Sequence, residues 1–103
     1  MNHRVRTRAE QSLHDETILE IARFLQRRHL RFNADHVELP NLDKTVGLRL
    51  GHFKADLVAL DPKRGMIAVE VETASTVHSC HARCQAKEFR RNSDLCFIVT
   101  RMR

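Results

Sequence analysis

Apolar residues recur at helical spacing through the first third of the chain. Ile18, Ile21, Ala22 and Leu25 fall on one stripe, widened by Leu13 and Phe24. The spacing predicts a helix over about 9–29. Ser12 is its expected cap, with Asp15 three positions on in the place of a capping-box acid. Arg27, Arg28 and His29 fill the last turn, where the helix dipole favours cations. His14 and His29 lie on the apolar stripe and read as packing residues.

The period then shortens. "RFNADHVELP" reads as a short strand closed by Pro40, and "NLDK" as a turn. "TVGLRLGHFKADLVALD" predicts a strand core at Lys54–Leu60 and an earlier piece at Val46–Leu50. "DPKRG" is a turn with Pro near its start and Gly at its end. It leads directly into "MIAVEVET", so the two strands form a β-hairpin. "STVHSCHARCQAKEFRRNS" is helical, with Ser75 or Thr76 as cap. "DLCFIVTRM" reads as a strand buried on both faces. The order is α-β-β-β-α-β. The crossover through the second helix makes the last strand parallel to the third. The fold class is α/β with a mixed central sheet.

Composition adds bounds. The 103 residues form one domain over 9–103, preceded by a flexible basic arm over 1–8. Net charge is +5, which favours polyanionic partners. The chain has neither Trp nor Tyr, so a base-stacking platform is not expected. Three cysteines do not make a disulfide framework and point to reduced thiols in a cytoplasmic protein. "HSCHARC" has the look of a zinc motif, but structural zinc needs four ligands from separated elements. Cys80 and Cys84 are better read as small packing residues. No apolar run is long enough to span a membrane, and the N-terminus lacks the apolar stretch of a secretory signal.

The chemistry concentrates in the hairpin. Glu70 and Glu72 are two apart in one strand and point to one side. Asp56, in the partner strand, is as far from the turn centre as Glu70, so the two should lie opposite each other. Three acids on one patch repel unless something compensates them. A divalent cation, Mg²⁺ or Mn²⁺, would do so. An exposed polar sheet face is the plainer alternative.

An aspartate followed by an acidic pair on a hairpin, then a helix and a strand, resembles the PD-(D/E)xK nuclease superfamily over about Ala9–Met102. The resemblance implies a restriction endonuclease-like αβββαβ core and metal-dependent hydrolysis of DNA. Asp56 would match the family aspartate and Glu70 its acid. Glu72 stands where the family usually has lysine; it would extend the metal site or act as general base. Gln85–Phe89 looks like the Gln-x-x-x-Tyr element of RecB-like members, with Phe for Tyr. Lys54 has the strand parity to substitute for the missing lysine, whereas Lys87 faces away. The acid that such nucleases often add from the first helix would be Glu20; Glu16 reads as solvated. Arg27, Arg28, Arg90, Arg91 and His52 are the expected nucleic-acid contacts. Junction-cutting relatives are often dimers, so a homodimer is an expected option. Two other classes stay open: a non-catalytic nucleic-acid-binding domain of the same fold, and an interaction subunit of a larger assembly.

Overall fold

The first helix, α1 (Arg8–Arg27), begins at Thr7 instead of Ser12. Thr7 and Glu10 complete a full capping box. Glu10 N donates to Thr7 Oγ1 and Thr7 N to Glu10 Oε1, each at 3.1 Å. Asp15, the expected box acid, is instead taken by Gln11 Nε2 at 2.9 Å and by His14. Arg6, Thr7 and Arg8 therefore belong to the folded unit and not to the expected arm. The computed structural model describes residues 6–35 and 49–101, so the rest of that arm, Pro40, the "NLDK" turn, Val46 and Met102 lie outside the described residues.

The far end of α1 closes with His29 at φ 58. His29 N donates to Gln26 O and Leu30 N to Leu25 O, the pair of bonds of a Schellman ending. His29 is consequently exposed and is not a packing residue.

Strand β1 (Arg31–Ala34) follows. A separate two-stranded piece, β2 (Arg49–Leu50) and β3 (Phe53–Lys54), turns at Gly51. The expected Lys54–Leu60 strand is thus interrupted. Ala55 and Asp56 form the break, with Asp35 N bonded to Asp56 O at 2.9 Å. Then come β4 (Leu57–Asp61), β5 (Gly65–Thr73), α2 (Cys80–Arg91) and β6 (Leu95–Arg101). The main sheet has the order β1-β4-β5-β6. β4 is antiparallel to both neighbours, and β5 and β6 are parallel, as the crossover requires. The chain is an α/β protein with a mixed sheet.

Alternation on β4 and β5 divides the apolar residues between two faces. Leu57, Ala59, Val69 and Val71 meet Ile18, Ala22 and Leu25 of α1. Val58 and Ala68 meet Phe89 of α2, with Leu50 and Ala55. α2 starts later than expected, capped by Ser79, whose Oγ accepts from Ala82 N at 3.0 Å. Ser75 and Thr76 are occupied elsewhere. Thr76 Oγ1 accepts from Thr73 N at 3.0 Å, and Ser75 donates to Glu10. Cys80 and Cys84 face solvent, contrary to their reading as packing residues. The last strand is not buried on both faces either: Leu95, Phe97 and Ile98 are exposed. β6 is the edge of the sheet, so its length and apolarity do not translate into burial.

Candidate active site

The β4–β5 ladder ends with Leu57 opposite Val69, so the next position outward places Asp56 beside Glu70. There the Asp56 carboxylate replaces a backbone acceptor. Val71 N donates to Asp56 Oδ2 at 2.8 Å, and Asp56 N lies 3.4 Å from Glu70 Oε2. Glu70 and Glu72 are each only 3% exposed, which excludes the exposed polar face. Burial first, then the charge and hydrogen bond of Asp56, push the Glu70 carboxyl up to about 10. At neutral pH Glu70 keeps its proton.

Glu72 is raised too, chiefly by burial, against the opposing effects of a Thr76 hydrogen bond and the Arg6 charge. Arg6 Nη2 lies 3.9 Å from Glu72 Oε2 and donates to Val71 O at 3.1 Å. His14, buried on α1, completes the group. Its Nε2 lies 3.2 Å from Asp56 Oδ2 and its Nδ1 3.0 Å from Asp15 Oδ1. Burial works against a charged His14, but the Asp56 and Asp15 carboxylates outweigh it and raise its pKa.

The three acids and Arg6 open onto a cavity of about 340 Å³, whose lining also includes Lys54, His81 and Gln85, with His14 buried behind Asp56. The Thr73–Thr76 turn forms one wall and is pinned to α1 by Glu10. Ser75 N and Oγ donate to Glu10 Oε2 at 2.9 and 2.8 Å. Those bonds hold the Glu10 carboxyl down at about 2.

Neither a protein-family model, nor a curated protein, nor a solved structure matches this chain. The site therefore has to be read from its own chemistry.

Asp56, Glu70, Glu72, Lys54 and Gln85 all line this one cavity. Glu20 does not. Its side chain faces solvent and pairs with Arg101 Nη1 at 3.5 Å, because it lies beyond the edge of the helix face that meets the sheet. Arg27 and Arg28 are also remote. They lie thirteen and fourteen residues after His14 on a helix rising 1.5 Å per residue, so about 20 Å away. Arg28 stacks on Phe24 at 4.5 Å. Arg90 and Arg91 are exposed at the C-terminal end of α2, away from Gln85. His52 is exposed, and its Nε2 lies 3.6 Å from Glu88 Oε1.

The sequence reading missed His14 and Arg6, which touch the acids, and Gln11, Asp35 and His81, which line the cavity. His14 carried a usable signal, a lone polar residue on an apolar stripe beside an acid. Arg6 carried none, since its role depends on where the chain enters α1. Among the described residues no group of three or more His, Cys, Asp or Glu side chains forms a ready metal cage. No helix among them is long and apolar enough to cross a membrane.

Proposed function

We propose that the chain is a nuclease-like domain of restriction endonuclease-like architecture that hydrolyses DNA phosphodiester bonds with Mg²⁺ or Mn²⁺. The observation that carries this reading is the pairing of half-buried Asp56 with the buried Glu70 carboxyl at a cavity that also holds Lys54 and Gln85. A buried acid beside a carboxylate is costly and has no packing value. The donor set fits a hard divalent cation, because Asp56 and Glu70 offer only oxygen and Glu70 holds a proton that a cation can replace. Mg²⁺ needs few protein ligands and completes its shell with water and phosphate. When bound, such an ion supplies Lewis acidity and a more acidic water.

The chain's own residues supply the rest. Asp56 and Glu70 would hold the ion. Val71 N and His14 Nε2 fix Asp56 Oδ2, which leaves Oδ1 for the cavity. Glu72 lines the same cavity and would accept the water's proton, with Arg6 beside it to favour the charged form. Lys54 and Gln85 line the cavity as a cation and an amide for phosphate oxygens. The basic surface steers a polyanion without reading bases.

A second reading has its own observation. Arg6 and His14 already stand beside Glu72 and Asp56, so two of the three acids have a basic side chain of the protein as partner. That arrangement suits a domain that binds nucleic acid without cutting it. Cleavage of a mixed panel of duplex, single-stranded and four-way-junction DNA with Mg²⁺, Mn²⁺ or EDTA separates the two. Metal-dependent cutting abolished in both Asp56→Ala and Glu70→Ala, with folding retained, supports the nuclease. No cutting with either ion, beside salt-sensitive binding that both variants keep, leaves the binding domain. Neither cutting nor binding defeats both.

A further inference from the structure

The two edges of the main sheet differ sharply. β1 is four residues long and flanked by charge, with Arg31 at its start and Asp35 just after it. Such an edge discourages pairing with another strand. β6 is seven residues long and uncharged from Leu95 to Thr100. Its one charged residue, Arg101, is occupied by Glu20 at 3.5 Å. Among the described residues no strand pairs with its outer side. Yet Leu95 is 39%, Phe97 52% and Ile98 42% exposed, with Phe24 of α1 45% exposed as well. Nothing on this edge, neither Pro, Lys, bulge nor covering loop, blocks strand addition among the described residues.

We infer that β6 is a self-association edge, on which a second copy of this chain pairs antiparallel to join two four-stranded sheets into one. The strand is self-complementary. Ile98 is its midpoint, so full overlap about a two-fold axis sets Ile98 against its own copy. Phe97 then faces Val99 and Cys96 faces Thr100, while at each end Leu95 faces Arg101, whose guanidinium is held by Glu20. Each pair has matching parity, so both sheets keep the same face on the same side. No like charges meet within the uncharged stretch, which a chain of net charge +5 seldom provides elsewhere.

Area bounds the strength. The three partly exposed apolar side chains of β6 leave roughly 200–300 Å² uncovered per copy, and a stable interface takes about 800 Å² per partner. Backbone pairing along seven residues adds to the apolar patch but leaves the total modest. The pairing should therefore be reversible and concentration-dependent. Glu70 lies level with Ile98 across the β5–β6 ladder. The two acid sites would then sit three strand spacings apart, roughly 15 Å, on one side of the joined sheet.

The test is sedimentation equilibrium of the full chain over a concentration range of about 100-fold, with thermal unfolding as a control on folding. The wild type should shift from 12.0 kDa toward twice that mass as concentration rises. Ile98→Glu and Ile98→Lys should each remain monomeric, because each sets a charge against its own copy. An equimolar mixture of the two should regain the dimer, because Glu then faces Lys across the axis. A wild type that stays monomeric throughout overturns the inference. So does a dimer that both charged variants retain, or an open series of larger species in place of a closed pair. None of these outcomes depends on cleavage, so the nuclease reading stands or falls separately.

Discussion

Strand β4 is bracketed by two aspartates that do opposite things. Asp61 closes the hairpin turn. Its Oδ1 accepts from Lys63 N at 2.7 Å and Arg64 N at 3.1 Å, and its Oδ2 from Arg64 Nη1 at 3.2 Å. Those donors hold its carboxyl below the usual range. Asp56, at the other end, sits beside a buried glutamic acid and a buried histidine. One end of the hairpin satisfies Asp61 with backbone donors of its own turn. The other gathers acids away from water and raises Glu70 and Glu72. Both ends use carboxyls, but burial raises the two glutamates where the donors of the turn lower Asp61. Asp61 is fully explained by its turn, whereas the burial of Glu70 and Glu72 is the observation on which the proposed chemistry rests.

The largest expected contrast is in activity. Asp56→Ala should lower metal-dependent cleavage by on the order of 100-fold to 1,000-fold, while Asp61→Ala should leave it within about twofold, read by single-turnover cleavage. Equal losses in both would mean that folding, and not the site, was being measured.

Stability should show the reverse weighting. Gly65 has φ +83, and a Cβ there would lie 2.2 Å from Asp94 Oδ2, the acceptor for Met66 N. Gly65→Ala should cost about 2–3 kcal/mol in urea unfolding. Adding Asp94→Ala should recover part of that loss, because the clash goes with the carboxylate. Strict additivity in the double variant would refute the clash.

The pH dependence should have opposite signs at the two ends. Glu70 is raised from 4.5 to about 10 on folding. Its protonated form is favoured in the folded state, so its contribution is full below the unfolded value and is lost as pH rises toward 10. The slope reaches at most about 1.4 kcal/mol per pH unit. His14, also raised, loses its contribution in the same direction above 6.5. Asp61 is lowered, so its contribution is present above its unfolded value and is lost as pH falls through the folded one. Glu70→Gln should therefore flatten the alkaline limb of stability and leave the acid limb. Asp61→Asn should do the opposite. An alkaline limb unchanged by Glu70→Gln would place the retained proton elsewhere.

The smallest effects concern the arginines. Arg64 is 67% exposed beside Asp61, and Arg64→Ala should change stability by less than about 0.5 kcal/mol. Arg6, half-buried against Glu72 and Val71 O, should cost about 1–2 kcal/mol as Arg6→Ala. Chemical denaturation of the two variants side by side would reverse this ranking if the Arg6–Glu72 pair were only a surface contact.

Local rules made much of this molecule readable. The stripe of Ile18, Ala22 and Leu25 does face the sheet, and "DPKRG" does turn the hairpin, because helical and strand periods are properties of the chain itself. Counting outward from that turn sets Asp56 beside Glu70 before any contact is known. Boundaries were less legible. Thr7 displaced Ser12 as cap because Glu10 also reaches Ser75, sixty-five positions away, and Ser79 displaced Thr76 because Thr76 serves the Thr73 turn.

The amino-acid order by itself determined the helix and strand types, the parallel crossover and the meeting of Asp56 with Glu70. Only the tertiary structure decided which acids are buried, that His14 and Arg6 rather than Glu20 join them, and that β6 lies open at an edge. Pattern reports which side chains share a face. Solvation and long-range neighbours depend on what covers that face, and that is settled when distant segments pack.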